Sequence, residues 1–201
     1  MKITYLGHSC FVIEEAGYRI VLDPFDGVPG HSTLHDIEAN EISCSHGHGD
    51  HAYVDAVNVT PKKPSPFKIT KIESWHDDKN GALRGPNTIR IFEAGGVKLA
   101  HFGDIGCKLT DEQMKQLSGL DAAMVPVGGF YTIDALRAKE LCDALKPGVI
   151  IPMHYRLGNF GFPNIAELSA FTDLYDSVNY LKANSMELKP GDKGGVTVLE
   201  W

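Results

Sequence analysis

Residues 45–53 read SHGHGDHAY, which crowds His46, His48, Asp50 and His51 into six positions and separates the first three with single glycines. Histidines at i and i+2 on extended backbone project to the same side, so His46 and His48 can share one ion. Asp50 and His51 lie past the turn and can reach a second, since one ion does not comfortably use every donor in the stretch. Gly47 and Gly49 are expected to permit close backbone approach and unusual dihedrals between the two positions. The competing reading is a polar loop whose histidines are merely hydrogen-bonded.

What ends the neighbouring strands weighs against that reading. RIVLDP ends at Asp23, EISCS runs into His46 and His48, VKLAHFGD ends at His101 and Asp104, and GVIIPMH ends at His154. Apolar segments from four parts of the chain thus carry metal-type donors at their C-terminal ends. In sheets with parallel neighbours those ends share one edge, where sites are usually built.

The same segments outline the fold. KITYLG, SCFVIEE and YRIVLD have the length, β-branched content and breakers of successive strands, with Ala16-Gly17 as a tight hairpin turn. That turn pairs residue 15 with 18, which sets 10 opposite 23 and 8 opposite 25 and brings His8 to the end that carries Asp23. His8 is therefore a candidate for the pocket wall. NTIRIFEAGGVKLAHF reads as a second hairpin turning at Gly95-Gly96, and DAAMVPV and GVIIPM as strands covered on both faces. Thr110 and Gln113 predict a capping box, Leu109 and Met114 a hydrophobic staple around it, and Gly119 a stop. Residues 133–145 place Ala138, Leu141, Cys142 and Leu145 on one buried helix face. IAELSAFTDLYDSV is a third helix candidate, and SMELKP and GVTVLEW read as closing strands. Hairpins followed by strand–helix alternation predict sheets in the middle and helices outside.

At 201 residues and 43% hydrophobic content the chain can bury the core of one domain, spanning 1–201. A formal net charge of −7 argues against nucleic acid as the main partner, which usually meets a basic face. The N-terminal stretch lacks the continuous apolar run of a signal peptide, and nothing approaches the ~20 apolar residues of a membrane span. Cys10, Cys44, Cys107 and Cys142 lack CxxC spacing and read as buried free thiols, so a cytoplasmic location is expected. Residues 61–71, PKKPSPFKITK, read as a solvated loop entering an edge strand, with an anion-docking patch as the alternative. His31 and His35 read as exposed loop residues.

HGHGDH matches the HxHxDH motif of the metallo-β-lactamase superfamily, with Asp23, His76, the FGD ending at Asp104 and the PMHY around His154 in the right order. The chain resembles that superfamily along essentially its whole length. Through YLGHSCFVIE, HFGDIG and PVGGFYTIDA it is most similar to the compact metal-dependent hydrolase branch, which is similar to ascorbate-6-phosphate lactonases and N-acylphosphatidylethanolamine phospholipase D. The resemblance implies an α/β fold, a four-layer αββα sandwich in a single domain, with a dinuclear centre at one edge. Carried over by position, His46, His48 and His76 would hold the first metal and Asp50, His51 and His154 the second. Asp104 would bridge them, and Asp23 would orient the ligand loop through hydrogen bonds. Such donors suit two divalent ions, zinc first, with manganese or iron as alternatives.

ESWHDD carries little motif information, so His101 competes with His76 for the first position. The adjacent Asp77 and Asp78 read as solvated carboxylates that could repel an anionic substrate. The implied activity is metal-dependent hydrolysis of a lactone, ester or phosphodiester in a small molecule, with Asp50 accepting a proton or orienting the attacking water. Tyr131, Thr132 and Tyr155 follow strand ends and are candidates for substrate contact. The alternatives are a nuclease-like phosphodiesterase, which the overall acidity opposes, a di-iron redox centre, and a non-catalytic metal-bound scaffold.

Overall fold

The computed structural model describes residues 1–60 and 64–201. In chain order the strands and helices are β1 (Lys2–Gly7), β2 (Cys10–Glu15), β3 (Tyr18–Leu22), β4 (Ile37–Ala39), β5 (Glu41–Ser43), β6 (Val57–Val59), β7 (Lys68–Trp75), β8 (Pro86–Ala94), β9 (Val97–His101), α1 (Asp111–Gln116), β10 (Ala122–Pro126), α2 (Ala135–Leu145), β11 (Val149–Met153), α3 (Ser169–Thr172), β12 (Val178–Leu181), β13 (Ser185–Glu187) and β14 (Gly195–Leu199). One sheet runs β13-β1-β2-β3-β5, a second runs β12-β14-β11-β10-β9-β8-β7, and β4 pairs with β6 alone.

Local chemistry sets the hairpins. Ala16 and Gly17 both take positive φ, +50° and +71°, the conformation that a two-residue turn between right-twisted strands requires. The resulting register pairs Glu15 with Tyr18 and Phe11 with Leu22, as the turn predicts. Gly95 and Gly96 turn the β8–β9 hairpin in the same way, and Ala94 faces Val97.

The two sheets pack face to face. Alternation along β1, β2 and β3 points Ile3, Tyr5, Phe11, Ile13, Ile20 and Leu22 at Phe92, Leu99, Met124, Val149 and Ile151 of the larger sheet, all buried in one cluster. The other face of the larger sheet, with Ile89, Ile91, Ala123, Val125 and Ile150, is covered by Leu117, Ala138, Cys142 and Phe171 from the helical layer. The outer face of the first sheet carries Cys10, Val12 and Val21, which meet Phe25, Val28, Ala39, Ala56 and Val57. Among the described residues that fourth layer is loop, a two-stranded ribbon and one short turn at Val54–Ala56, so the sandwich is thin on that side.

Helix α1 carries the predicted capping box, with Gln113 N donating to Thr110 and Thr110 N donating to Gln113 Oε1. Helix α2 starts two residues later than expected, because Asp134 caps it by accepting from Arg137 N at 2.9 Å. The third predicted helix shrinks to Ser169–Thr172. Its first half pairs elsewhere: Ala166 N donates to Gly128 O and Leu168 N to Arg156 O, which ties this backbone to the loops after β10 and β11. Its last residue opens β12 instead.

Residues 61–63 of the predicted basic loop lie outside the described residues. The docking reading does not hold for Lys68, which pairs with Glu93 at 2.7 Å. It stands at the far end of β7, roughly 25 Å of extended strand from His76. All four cysteines are free; Cys10 and Cys142 are buried, while Cys44 and Cys107 are only half-buried. No helix among the described residues is long and apolar enough to cross a membrane.

Strands β9, β10, β11 and β14 are parallel neighbours, as are β3 and β5. Strand β7 points the same way as β9, since both are antiparallel to β8. Its end therefore reaches the same edge as the ends of β9, β10 and β11. The loops carrying His76, Asp104, Tyr131 and His154 leave the larger sheet there.

Candidate metal centre

The HGHGDH loop is anchored before it can hold anything. Asp23, 1% exposed at the end of β3, accepts from Ser45 N at 2.6 Å, from Ser45 Oγ at 2.5 Å and from His51 Nδ1 at 2.8 Å. Since the Ser45 hydroxyl donates to Asp23, its oxygen accepts from His46 Nδ1, 2.9 Å away. His76 Nδ1 likewise donates to Tyr131 O at 3.1 Å. In all three rings Nδ1 is committed to a protein acceptor, which makes Nε2 the nitrogen turned toward a metal.

Two groups of donors result. Ligand atoms of His46, His48 and His76 lie within 4.8 Å of one another, as do those of His8, Asp50, His51 and His154. Between the groups sits Asp104. Its Oδ2 is 3.2 Å from both His76 Nε2 and His154 Nε2, and its Oδ1 is 3.2 Å from His51 Nε2. Asn87 aims it, with Oδ1 accepting from Asp104 N at 2.9 Å and Nδ2 donating to Phe102 O at 2.9 Å. The turn between must be glycine: Gly103 has φ +54°, and a Cβ there would meet Asn87 Oδ1 at 2.3 Å and Ser45 Cβ at 2.4 Å.

Buried polar atoms without partners test whether this donor set fits a metal. His46 Nε2, His51 Nε2, both ring nitrogens of His8 and Asp104 Oδ1 are buried with no hydrogen-bond partner. Leaving such an atom unsatisfied costs about 1–3 kcal/mol. Several in one place, all nitrogen or oxygen lone pairs, are what divalent cations satisfy.

The model of the beta-lactamase superfamily domain matches residues 2–154. A UPF0173 metal-dependent hydrolase of Carboxydothermus hydrogenoformans is 31% identical over 77% of this chain and 84% of its own length. The chain belongs to the UPF0173 metal-dependent hydrolases of the metallo-β-lactamase superfamily. A second member, from Thermococcus onnurineus, is 29% identical over 96% of this chain and 98% of its own. A crystal structure from Thermotoga maritima, provisionally described as a zinc-dependent hydrolase of the superfamily, is 36% identical, covers 98% of both chains and superposes with a TM-score of 0.77.

In this hydrolase the centre opens into a cavity of about 400 Å³. Its floor is formed by His48, Asp50, His76 and Asp104, and its walls by Asp26, Gly49, Arg84, Tyr131 and Phe162. Gly47 and Gly49 do not take positive φ, and a Cβ on either would meet open space, so the expected close approach is absent. At Gly49 the missing side chain leaves the mouth of the cavity clear.

The electrostatics of the donor atoms divide them. Burial and the neighbouring His154 ring push His8 down to about 3, and burial with His51 does the same to His46. Both are neutral at pH 7. Burial opposes charge on His51 as well, but Asp104 and Asp23 outweigh it and hold the ring well above the ordinary imidazole range. His76 is raised too, because its contact with Asp104 outweighs burial. Asp104 is held well below the carboxylate range by His154 and His51 despite its burial.

Several predicted residues stand elsewhere. His101 is buried outside both groups, with Nε2 donating to Ser9 O at 3.0 Å and Nδ1 accepting from Gly103 N at 3.2 Å. Tyr155 is 4% exposed within the core and packs on Trp201, away from the cavity. Thr132 turns its hydroxyl to Ile133 O at 3.0 Å. His31 is half-buried between Phe25, Phe160 and Trp201, while His35 is exposed. Asp77 is not solvated: it is 3% exposed and accepts from the backbone N–H of Lys79, Gly81, Leu83 and Arg84 at 2.8–3.0 Å. His8, predicted as pocket wall, sits inside the second group, with Nε2 3.5 Å from Asp50 Oδ2. Sequence reasoning missed Arg84, Asp26, Phe162 and Asn87. The alternating strand before His76 was a usable signal for that histidine, whereas nothing local marks the other four.

Proposed function

We propose that the hydrolase carries two divalent ions of the zinc type and cleaves a lactone, ester or phosphodiester bond in a small molecule. Asp104 carries this reading, since one carboxylate within 3.2 Å of rings from both donor groups is suited to serve two ions at once. His46, His48 and His76 would hold the first ion. Asp50, His51 and His154 would hold the second, with His8 as a further donor. Bound there, such ions lower the pKa of a coordinated water from 15.7 to about 7 and draw charge from the group under attack.

The chain's own residues do the rest. Asp23, through Ser45 and His51, and the Tyr131 carbonyl, through His76, keep the imidazole lone pairs aimed inward. Asp50 has Oδ2 turned to His8 and His51, at 3.5 and 3.7 Å. Oδ1 is then the atom that accepts a proton from the attacking water or holds its orientation. Phe162 and Tyr131 bound the cavity and limit entry of bulk water. Lactone and phosphodiester substrates enter this reading through the likeness to ascorbate-6-phosphate lactonases and N-acylphosphatidylethanolamine phospholipase D.

The test is metal analysis of the purified protein, followed by a panel of lactones, esters and phosphodiesters run beside Asp50→Ala. Two ions per chain and turnover of at least one bond class are expected, with the variant losing the second ion and the activity. Two ions and full turnover in Asp50→Ala would overturn the assignment.

Metal uptake should also release protons. Because Asp104 raises both His51 and His76, an ion entering the centre competes with protons for their Nε2 atoms. Apparent affinity therefore rises with pH and falls on acidification, by about tenfold per pH unit for each proton displaced. His8 and His46, already neutral at pH 7, add nothing to that slope. Competition with a chelating dye between pH 6 and 8 measures it, and a flat profile would contradict the protonation pattern.

A further inference from the structure

Arg84 is the basic side chain lining the cavity, and it faces a floor that holds Asp50 and Asp104. Among the described residues its guanidinium has neither an ion pair nor a hydrogen bond. It stands over the Tyr131 ring, with Cζ 5.6 Å from the centroid. Its place is enforced from behind. Asp77 gathers four backbone N–H groups, the last of them from Arg84 at 2.8 Å, and His76 N donates to Gly85 O at 3.1 Å. One compact loop therefore sets both a candidate metal donor and the guanidinium.

We infer that Arg84 is the seat for an anionic group, a carboxylate or a phosphate, carried by the substrate at a distance from its scissile bond. The inference rests on the hydrolytic reading above. A guanidinium presents five N–H donors in a planar fork that matches carboxylate and phosphate oxygens in pairs. Here that fork is half-buried, lies over an aromatic ring and among the described residues is unpaired, so its donors are available to a ligand in the cavity. Ions held at the floor would offset the carboxylates of Asp50 and Asp104. Asp26 is then the remaining carboxylate of the lining, and it makes no ion pair with Arg84, whose charge stays available to an anion. A cavity of about 400 Å³ lies toward the small end of ligand sites, which selects a compact molecule whose body lies against the packed Tyr131–Phe162 ring pair.

The probes are glutarate and inorganic phosphate, titrated calorimetrically into metal-loaded wild type, Arg84→Gln and Arg84→Lys. Wild type should bind at least one of them. Arg84→Gln should weaken that binding by about tenfold or more, and Arg84→Lys by less, since lysine keeps the charge without the fork. All three proteins should hold the same metal content. Binding that Arg84→Gln leaves within twofold of wild type is binding at the metals alone and overturns the inference, as does wild type that binds neither probe.

A parallel assay separates this inference from the reading beneath it. The 4-nitrophenyl half-esters of succinate, glutarate and adipate share their scissile bond with neutral 4-nitrophenyl acetate. Wild type should prefer a half-ester in kcat/KM, and Arg84→Gln should bring the ratio toward unity. Anion binding that depends on Arg84 with no ester cleaved leaves the seat standing and removes ester hydrolysis. Cleavage with no charge preference, together with unchanged probe binding, removes the seat and leaves the hydrolase.

Discussion

Asp104→Asn is expected to keep the fold and lose the ability to hold two ions together. The carboxylate reaches His51, His76 and His154, each at 3.2 Å, so it touches rings of both donor groups. The amide fits the same space, and its backbone N–H can still donate to Asn87. It would carry no charge to offset bound cations and would offer one side-chain oxygen in place of two. Removing an outer hydrogen-bond partner typically costs 10–100-fold in metal affinity. Loss of the shared carboxylate should exceed about 100-fold and take hydrolysis with it. Elemental analysis after dialysis, beside a circular dichroism spectrum, gives the answer. Two ions retained at wild-type affinity would mean that Asp104 is not shared.

The second large effect falls on Asp23, which is 1% exposed and does not line the cavity. Asp23→Ala leaves Ser45 N, Ser45 Oγ and His51 Nδ1 buried with nothing to accept their hydrogen bonds. Stripping one partner from a buried charged network of this kind costs about 3–5 kcal/mol. Asp23→Asn is milder on the fold and informative on the chemistry. Its amide oxygen can still accept from Ser45 N, but an NH2 turned toward His51 forces Nδ1 to accept. The neutral His51 ring then carries its proton on Nε2, and that atom no longer offers a lone pair to the second group. Thermal melts should therefore rank wild type, Asn, Ala. Metal titration should show Asn already weakened by about 10–100-fold. Equal metal affinity in wild type and Asp23→Asn would remove Asp23 from the centre and leave it a structural role only.

Much of this was readable without coordinates, wherever the deciding interaction is local. The Ala16-Gly17 turn sets a register that carries through to Phe11 and Leu22, because two positive φ values admit one way of closing the hairpin. The α1 capping box spans residues 110–113 and is complete within itself. His46, His48, Asp50 and His51 are neighbours along the chain, and their presence together says metal before any fold is known.

The third helix shows where local reading fails. Its periodicity suits a helix, yet the backbone of Ala166 and Leu168 is claimed by Gly128 and Arg156, which are distant in sequence. Asp77 fails in the same way: a carboxylate beside another reads as solvated until four backbone N–H groups from residues 79–84 close around it. The choice between His76 and His101 turned on the facing of one strand. Leu99 points between the sheets, so His101, two residues on, points there as well and meets Ser9 rather than the cavity.

The sequence by itself determined the chemistry of this protein: a donor-rich loop, strands ending in further donors, and a family motif that places a metal-dependent hydrolase on this fold. Only the tertiary structure decided which donors meet. It drew His8 in from the first strand turn, left His101 out, set Asp104 between the two groups and turned Arg84 toward the cavity. The physical reason is distance along the chain. Local backbone preferences can place residues a few positions apart, whereas His8, His76, Asp104 and His154 come together only when two sheets pack and their loops share an edge.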